Sequence, residues 1–273
     1  MANKGKYYES QFEEATIELL REAHWQYTLG DDIHRKYTDP LIEEDLRNFL
    51  AVQYKDKNLT TSEMDGIVAN LRNTGGQNDY YALRNAFLLY RDGYDFAYSD
   101  SRDNPFRMEY IDFEHPDHNI FRCVNQFVMG QGRENRRPDI LLFINGIPVC
   151  IIELKNPTKQ NATIRDAHTQ ICTRYMRDIP ALLKYCALAV ISDGAKNALG
   201  TTYTPFEFFY EWKKIENEDK AGKGLDTLRT LIRGALSPER ILEILRDYVY
   251  FPDPTKEDDT TEIVCRYPQF FAT

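Results

Sequence analysis

Three residues near the middle of the chain have the types and spacing for chemistry at a phosphate ester: Asp139, preceded by Pro138, and the pair Glu153 and Lys155. They sit on two apolar, β-branched runs, DILLFI and PVCIIELK, joined through Asn145-Gly146. That dipeptide is a strong hairpin signal. Successive strand residues face opposite ways, so Glu153 and Lys155 share a face. Two carboxylates and a lysine at the ends of buried strands are costly unless something pairs them. A Mg²⁺ ion between Asp139 and Glu153 would do so, since Mg²⁺ takes one or two carboxylates and fills its other positions with water and phosphate oxygens. Such an ion polarises P–O bonds and acidifies a water. Lys155 would orient that water and offset negative charge. The plainer alternative is a surface Glu–Lys pair beside a loop aspartate. The apolar neighbours Val149, Ile151 and Ile152 weigh against it, because buried charges need partners.

The shared-metal reading constrains the hairpin. A regular two-residue turn pairs Ile144 with Ile147, which sets Asp139 opposite Ile152 and turns Glu153 to the other face. The acids meet only if the loop is three residues, Asn145-Gly146-Ile147, or if a bulge restores the register.

The elements that must position these residues read as follows. Helices are expected over ESQFEEATIELLREAHWQY, PLIEEDLRNFLAVQYKD, TTSEMDGIVANLRN and NDYYALRNAFLLYRDG, the third capped by Thr/Ser with Glu63 behind it and the fourth stopped at Gly93. FRMEYIDFE alternates as a strand, HPDHN is a turn, NIFRCVNQFVMG is a second strand and GQGRENRRP is a polar loop. After the hairpin come a helix over RDAHTQICTRYMRDIPALLKY, broken or restarted at Pro180, and a buried strand over CALAVISDG. LDTLRTLIRGAL and SPERILEILRDYVYF are later helices, the second with Ser237 as cap and Pro238 in its first turn. PDPTKEDDTTE reads as a polar linker. Helices, strands, helix, strand and helices in that order suggest a mixed sheet covered by helices.

Composition sets the outer bounds. A chain of 273 residues holds one large or two small domains. No long uncharged apolar run is present, and MANKGKYYESQFEE lacks a signal-peptide core, so the reading is cytoplasmic with no membrane partner. Cys123, Cys150, Cys172, Cys186 and Cys265 form no CxxC pair and read as free thiols. A net charge of −9 disfavours a nucleic-acid partner, but Arg122–Arg177 carries nine Lys/Arg against four Asp/Glu. Arg133, Arg136 and Arg137, just ahead of the first hairpin strand, are candidate phosphate contacts, with ordinary solvated loop charge as the alternative. The five histidines share no ligand spacing, and Asp112, His115, Asp117 and His118 read as a polar turn rather than a metal cluster. GAKNALGTT lacks the Gly-Lys-Ser/Thr ending of a phosphate loop. Trp212 and its aromatic neighbours read as core.

RRPDILLFINGIPVCIIELKNP closely resembles the nuclease core of the restriction (R) subunit of type I restriction–modification enzymes, within the PD…ExK nuclease superfamily. FEEATIELL, HNIFRCVNQF, IPALLKYCALAVISDGAKNALGT and TPFEFFYEWKKI also look like segments of that family, so the resemblance covers nearly the whole chain. It implies an α/β fold with a mixed four- to five-stranded sheet flanked by helices. The nuclease domain would span 1–215, with a helical part at about 1–95 and a catalytic sheet core at about 105–215; 216–273 would be a helical linker toward a motor domain absent from this chain. The implied activity is Mg²⁺-dependent endonuclease cleavage of double-stranded DNA, coupled in the full subunit to an ATP-driven translocase. The implied partners are modification (methyltransferase) and specificity subunits. CRYPQFFAT resembles the glutamine-bearing segment ahead of the motor's first phosphate loop, making Gln269 an adenine contact once the motor is present.

Residue by residue, Asp139 and Glu153 match the family's metal-binding acids and Lys155 its catalytic lysine. Glu13 matches a further acid near the site, with Glu9 and Glu14 as substitutes. The family also carries a Gln and a Tyr four apart on the next helix. Here Gln170 and Tyr175 are five apart, and an extra residue turns an α-helix by about 100°, which sets the two out of line. Gln170 reads equally as a solvent-facing residue and Tyr175 as a half-buried packing residue. Two other functions fit the same pattern: a non-catalytic docking module of this fold, and a repair or recombination nuclease of the superfamily.

Overall fold

The computed structural model describes residues 2–100, 102–130, 135–155, 163–216, 218–219, 222–252 and 260–272, with side chains from residue 10 onward and none for 218–219. Helix α1 (Ala2–Glu22) opens the chain. It ends where His24 adopts a left-handed φ of 71°, while the Trp25 N–H donates to Leu20 O and the His24 N–H to Arg21 O, each at 3.0 Å. This is a Schellman ending built without glycine. It is why the expected helix stops short, and the residues that follow form strand β1 (Gln26–Leu29) instead.

Helices α2 (Glu43–Gln53), α3 (Thr61–Asn73) and α4 (Asp79–Asp92) follow. Thr60 and Glu63 form the anticipated capping box on α3, and Gly93 stops α4. Strands β2 (Tyr94–Phe96) and β3 (Phe106–Met108) pair only with each other. The strand expected over 106–114 stops at Met108: the Glu109 N–H donates to the Tyr54 hydroxyl, and the Asp112 carboxylate then takes the N–H groups of Glu114 and His115, turning the chain.

The main sheet comprises β1, β4 (Phe121–Asn125), β5 (Ile140–Ile144), β6 (Ile147–Leu154), β7 (Leu188–Ser192) and β8 (Asn197–Gly200), in that spatial order. The β1–β4 and β6–β7 pairs are parallel and the others antiparallel. The mixed sheet flanked by helices is as expected, but it has six strands rather than four or five. Both extra strands are short edge strands, each without a strand-like sequence period. Strand β8 is made by a turn in which Asp193 Oδ1 takes the N–H groups of Ala195 and Lys196.

Between β6 and β7 run α5 (Ile164–Thr169), a π-helical turn (Gln170–Tyr175), α6 (Met176–Asp178) and α7 (Pro180–Leu183), which Pro180 opens. Helices α8 (Leu225–Ala235), α9 (Pro238–Asp247) and α10 (Tyr267–Phe270) complete the described chain. Ser237 precedes α9, but its side chain makes no capping bond. The Trp25 indole donates to Leu236 O at 2.7 Å, tying the two ends of the chain together. Trp212 is buried, as are Cys123, Cys150 and Cys186; all five cysteines are free. Among the described residues no helix is long and apolar enough to cross a membrane.

The sheet separates two cores. Ile140, Leu142 and Ile144 face one, shared with α1–α4 and α8–α9. Leu141 and Phe143 face the other, beneath Ala167, Ile171 and Tyr175. Strand β6 alternates too, except that Val149 and Cys150, adjacent in sequence, both face the first core. The pairing explains this: Ile144 meets Ile147 and Phe143 meets Pro148, but Leu142 meets Cys150, leaving Val149 as the extra residue of a β-bulge.

Asn145 and Gly146 form the two-residue turn, with φ of 50° and 77°. Asn145 is fully buried. Its Oδ1 accepts the Ile120 N–H at 2.7 Å, and its Nδ2 donates to Tyr110 O at 3.0 Å and Asn119 Oδ1 at 2.8 Å. A Cβ on Gly146 would stand 2.1 Å from Ile42 O, so α2 docks on the bare turn. Replacing Asn145 by alanine strands buried polar groups at roughly 1–3 kcal/mol each. The Asn145→Ala chain is expected to lose about 3 kcal/mol of unfolding free energy in a urea titration; an unchanged midpoint would show that the turn does not depend on this side chain.

Candidate active site

The bulge decides which side chains meet. Past it, Ile140 pairs with Ile152, so the next step outward sets Asp139 against Glu153. Both then lie on the face of Leu141 and Ile151, under the π turn. Asp139 Oδ2 accepts the Leu154 N–H at 2.7 Å, drawing its carboxylate onto the end of β6. The Lys155 N–H donates to Ser192 O at 2.8 Å, prolonging the β6–β7 ladder through the lysine. Glu153 is buried, 1% exposed, and Lys155 Nζ lies 2.6 Å from its Oε1.

Lys155 Nζ also donates to Gln170 Oε1 at 2.8 Å, and Gln170 Nε2 donates to the Tyr175 hydroxyl at 2.6 Å. The five-residue spacing that puts these two out of line on an α-helix is the spacing of a π turn, which closes i→i+5. The turn spans Gln170–Tyr175, so the extra residue is absorbed and both side chains reach the site. Tyr175 is 3% exposed rather than half-buried, and Gln170 is turned inward.

On the open side, a cleft of about 670 Å³ is lined by Glu13, Tyr27, Asn125, Gln126, Arg137 and Asp139. Glu13 Oε1 accepts Asn125 Nδ2 at 2.7 Å and Gln126 Nε2 at 2.9 Å, so α1 is fastened to the end of β4 beside the acids. Glu14 also borders the cleft; the Glu9 side chain lies outside the described part. A larger cavity of about 860 Å³ lies elsewhere. Two of its arginines are already engaged in ion pairs: Arg72 with Asp39 and Glu43, Arg47 with Glu43 and Asp65. The smaller cleft is the one that reaches the acids.

Burial, and then the Glu153 carboxylate beside it, hold the Asp139 acid well above the ordinary carboxylate range. Burial and Glu153 likewise raise the Tyr175 phenol. Among the described residues the site thus gathers oxygen donors around the single ammonium group of Lys155. That donor set fits a hard divalent cation such as Mg²⁺, with Asp139 and Glu153 as its holders. Of the loop arginines, Arg137 borders the cleft, Arg136 is paired with Asp178 at 2.8 Å, and Arg133 lies outside the described residues. Gln269 is exposed on α10, where its Oε1 accepts the Arg266 N–H at 2.8 Å.

Comparison with known proteins bears on what this arrangement is. The family model described as the type I restriction enzyme R protein N terminus matches residues 6–208. The chain belongs to that family. Among its relatives are the type I restriction enzyme HindI endonuclease subunit of Haemophilus influenzae, 28% identical across 96% of this chain, and the putative MjaIXP endonuclease subunit of Methanocaldococcus jannaschii, 27% identical across 95%. The EcoprrI endonuclease subunit of Escherichia coli is 30% identical over 45% of the chain. The chain spans 26% of the length of each of the first two relatives.

In this family member two cleft residues have no role that the sequence suggests: Asn125 and Gln126, which hold Glu13. Gln126 has a left-handed φ of 57°, and no local pattern announces it. Tyr27, whose hydroxyl donates to Asn125 Oδ1 at 3.0 Å, falls in β1 rather than in the helix that the sequence pattern extends through it.

The raised pKa of Asp139 has a consequence for stability. Without metal, the folded chain holds this proton at pH values where the unfolded chain, with a carboxyl pKa near 3.9, has released it. Stability therefore falls as pH rises from that value through the folded pKa. Asp139→Asn removes the charge conflict and keeps an oxygen for the Leu154 N–H. In EDTA at neutral pH its Tm should exceed the parent's, by about 2–4 °C per kcal/mol regained. An equal or lower Tm would mean that the two acids do not repel one another.

Proposed function

We propose that this chain is the nuclease part of a type I restriction endonuclease subunit of the PD…ExK kind, hydrolysing phosphodiester bonds of double-stranded DNA with Mg²⁺. The observation that carries the reading is the bulge-shifted register, which brings Asp139 beside Glu153 with Lys155 on the same face. When bound, the ion supplies Lewis-acid polarisation of the phosphate and an acidified water. Asp139 and Glu153 hold it. Lys155, braced by Gln170, holds its ammonium where it can orient the attacking water and offset the charge growing on the phosphate. Tyr175 keeps Gln170 in place, and Glu13 with Asn125 and Gln126 fixes the opposite wall of the cleft. In the full subunit the reading adds an ATP-driven motor, with Gln269 near its adenine, and modification and specificity subunits that choose the DNA site.

Alanine at Asp139, Glu153 or Lys155 is expected to lower Mg²⁺-dependent cleavage by the assembled enzyme by about 10²–10³-fold or more, while ATP-driven translocation continues. Cleavage by Lys155→Ala at the parental rate would rule this site out.

The basic approach to the cleft yields a separate expectation. Neutralising Arg133, Arg136 and Arg137 together should weaken DNA binding and reduce the slope of log K against log salt by about 0.9 for each phosphate no longer neutralised. Because Arg136 is already paired with Asp178, Arg137→Ala alone should account for more of the change than Arg136→Ala. Parental affinity and slope in the triple variant would make these arginines ordinary solvated charge.

A further inference from the structure

The segment 112–118 has the composition of a polar turn, yet the fold draws three of its side chains to one point. Asp112 is buried, 5% exposed. Its Oδ1 accepts the N–H groups of Glu114 at 3.0 Å and His115 at 2.9 Å, and its Oδ2 accepts Gln53 Nε2 from α2 at 3.1 Å. The same Oδ2 lies 2.9 Å from His118 Nδ1 and 3.4 Å from His115 Nδ1. Pro116–His118 is a 3₁₀ turn, in which residues three apart eclipse. The rings of His115 and His118 accordingly stack, with centroids 4.8 Å apart and 20° between their planes. Asn119 locks the backbone, accepting the Asp112 N–H at 2.9 Å and donating to Asp112 O at 2.7 Å.

Hydrogen bonding accounts for part of this cluster only. A carboxylate oxygen has two lone-pair directions, and Gln53 and His118 fill those of Oδ2. His115 Nδ1 therefore competes with His118 Nδ1 for one direction on Oδ2, the direction that an ion held by both imidazoles would take over. One donor atom from each of the three residues lies within 4.8 Å of the others. A tetrahedral ion with bonds of about 2.0–2.1 Å sets its ligands roughly 3.3 Å apart, close to the 2.9 and 3.4 Å that separate Asp112 Oδ2 from the two imidazole nitrogens. Both histidines are largely exposed, at 62% and 48%, leaving an open side for entry and for a water as fourth ligand.

We propose that Asp112, His115 and His118 form a binding site for a first-row divalent transition-metal ion, Zn²⁺ being the occupant that best suits two imidazoles and one carboxylate. This site is separate from the acid pair, because Mg²⁺ takes oxygen ligands and imidazole selects Zn²⁺, Co²⁺ or Ni²⁺. The ion acts as a staple. Asp112 is braced by Gln53 at the end of α2, and Glu114 lies 3.5 Å from Arg246 on α9, so closing the turn joins the two helices through it.

The test is a Co²⁺ titration of the full chain in excess Mg²⁺, which occupies oxygen-only sites, read by visible absorption and followed by Zn²⁺ displacement. One Co²⁺ per chain with the ligand-field bands of a nitrogen-ligated ion, displaced by one Zn²⁺, is expected. The bands should vanish in His115→Ala/His118→Ala, whose fold is checked by circular dichroism. Gln53→Ala keeps all three ligands but removes the brace, and should weaken Co²⁺ binding by about tenfold. Absence of the bands in the parent chain, or their persistence in the double variant, would overturn the proposal.

Discussion

A strand sends consecutive side chains to opposite faces, so two acids on a hairpin meet only when their register has the right parity. The tight Asn145-Gly146 turn supplies the wrong parity. Val149, bulged out of the β5–β6 ladder, corrects it. Everything at the site depends on that one residue: it turns Glu153 and Lys155 toward the face of Asp139 and under the π turn. The bulge is held from both sides. Val149 and Cys150 are packed into the same core, and the turn beyond is fixed by the bonds of Asn145 and by the close seat of α2 on Gly146.

A second insertion works in the same way on the helix. One residue more than an α-helix accommodates lies between Gln170 and Tyr175, and the backbone absorbs it as a π turn. Such turns recur at functional sites because they re-aim side chains without ending the helix. Here the re-aimed glutamine carries a chain of hydrogen bonds from Tyr175 to Lys155. The ammonium that offsets two crowded carboxylates is thus fixed by the core rather than left to solvent. Strand bulge and helix bulge each convert an odd residue into an aligned one.

The amino-terminal helix completes the arrangement by a long-range contact. Glu13 reaches Asn125 and Gln126 across more than a hundred residues of sequence. Gln126 takes its left-handed backbone beside Gly30, where a Cβ would stand 2.6 Å from Gln126 O. The end of β4 is therefore pressed between α1 and the turn after β1, and its two amides have few other directions to point.

Much of this is legible in the sequence because it is local. The Asn-Gly turn, the Thr60–Glu63 box, the Gly93 stop and the apolar runs of β5, β6 and β7 each follow from a few neighbouring residues. So do the candidate acids and lysine, and the requirement for a shifted register, which follows from counting along two strands. Other features depend on distant partners. Strands β1 and β8 are too short to show a period and exist because a neighbouring edge offers unpaired backbone groups. Helix α1 stops at a histidine, since hydrogen bonds and packing replace the glycine that would have marked its end. Gln170 and Tyr175 read as misaligned because sequence spacing assumes an α-helix. Asp112, His115 and His118 read as a polar turn until a 3₁₀ turn stacks the two rings beside the carboxylate. Sequence alone determined the chemical groups and the family; tertiary structure decided which groups face each other, because register, helix type and edge pairing are set by contacts between segments far apart in the chain.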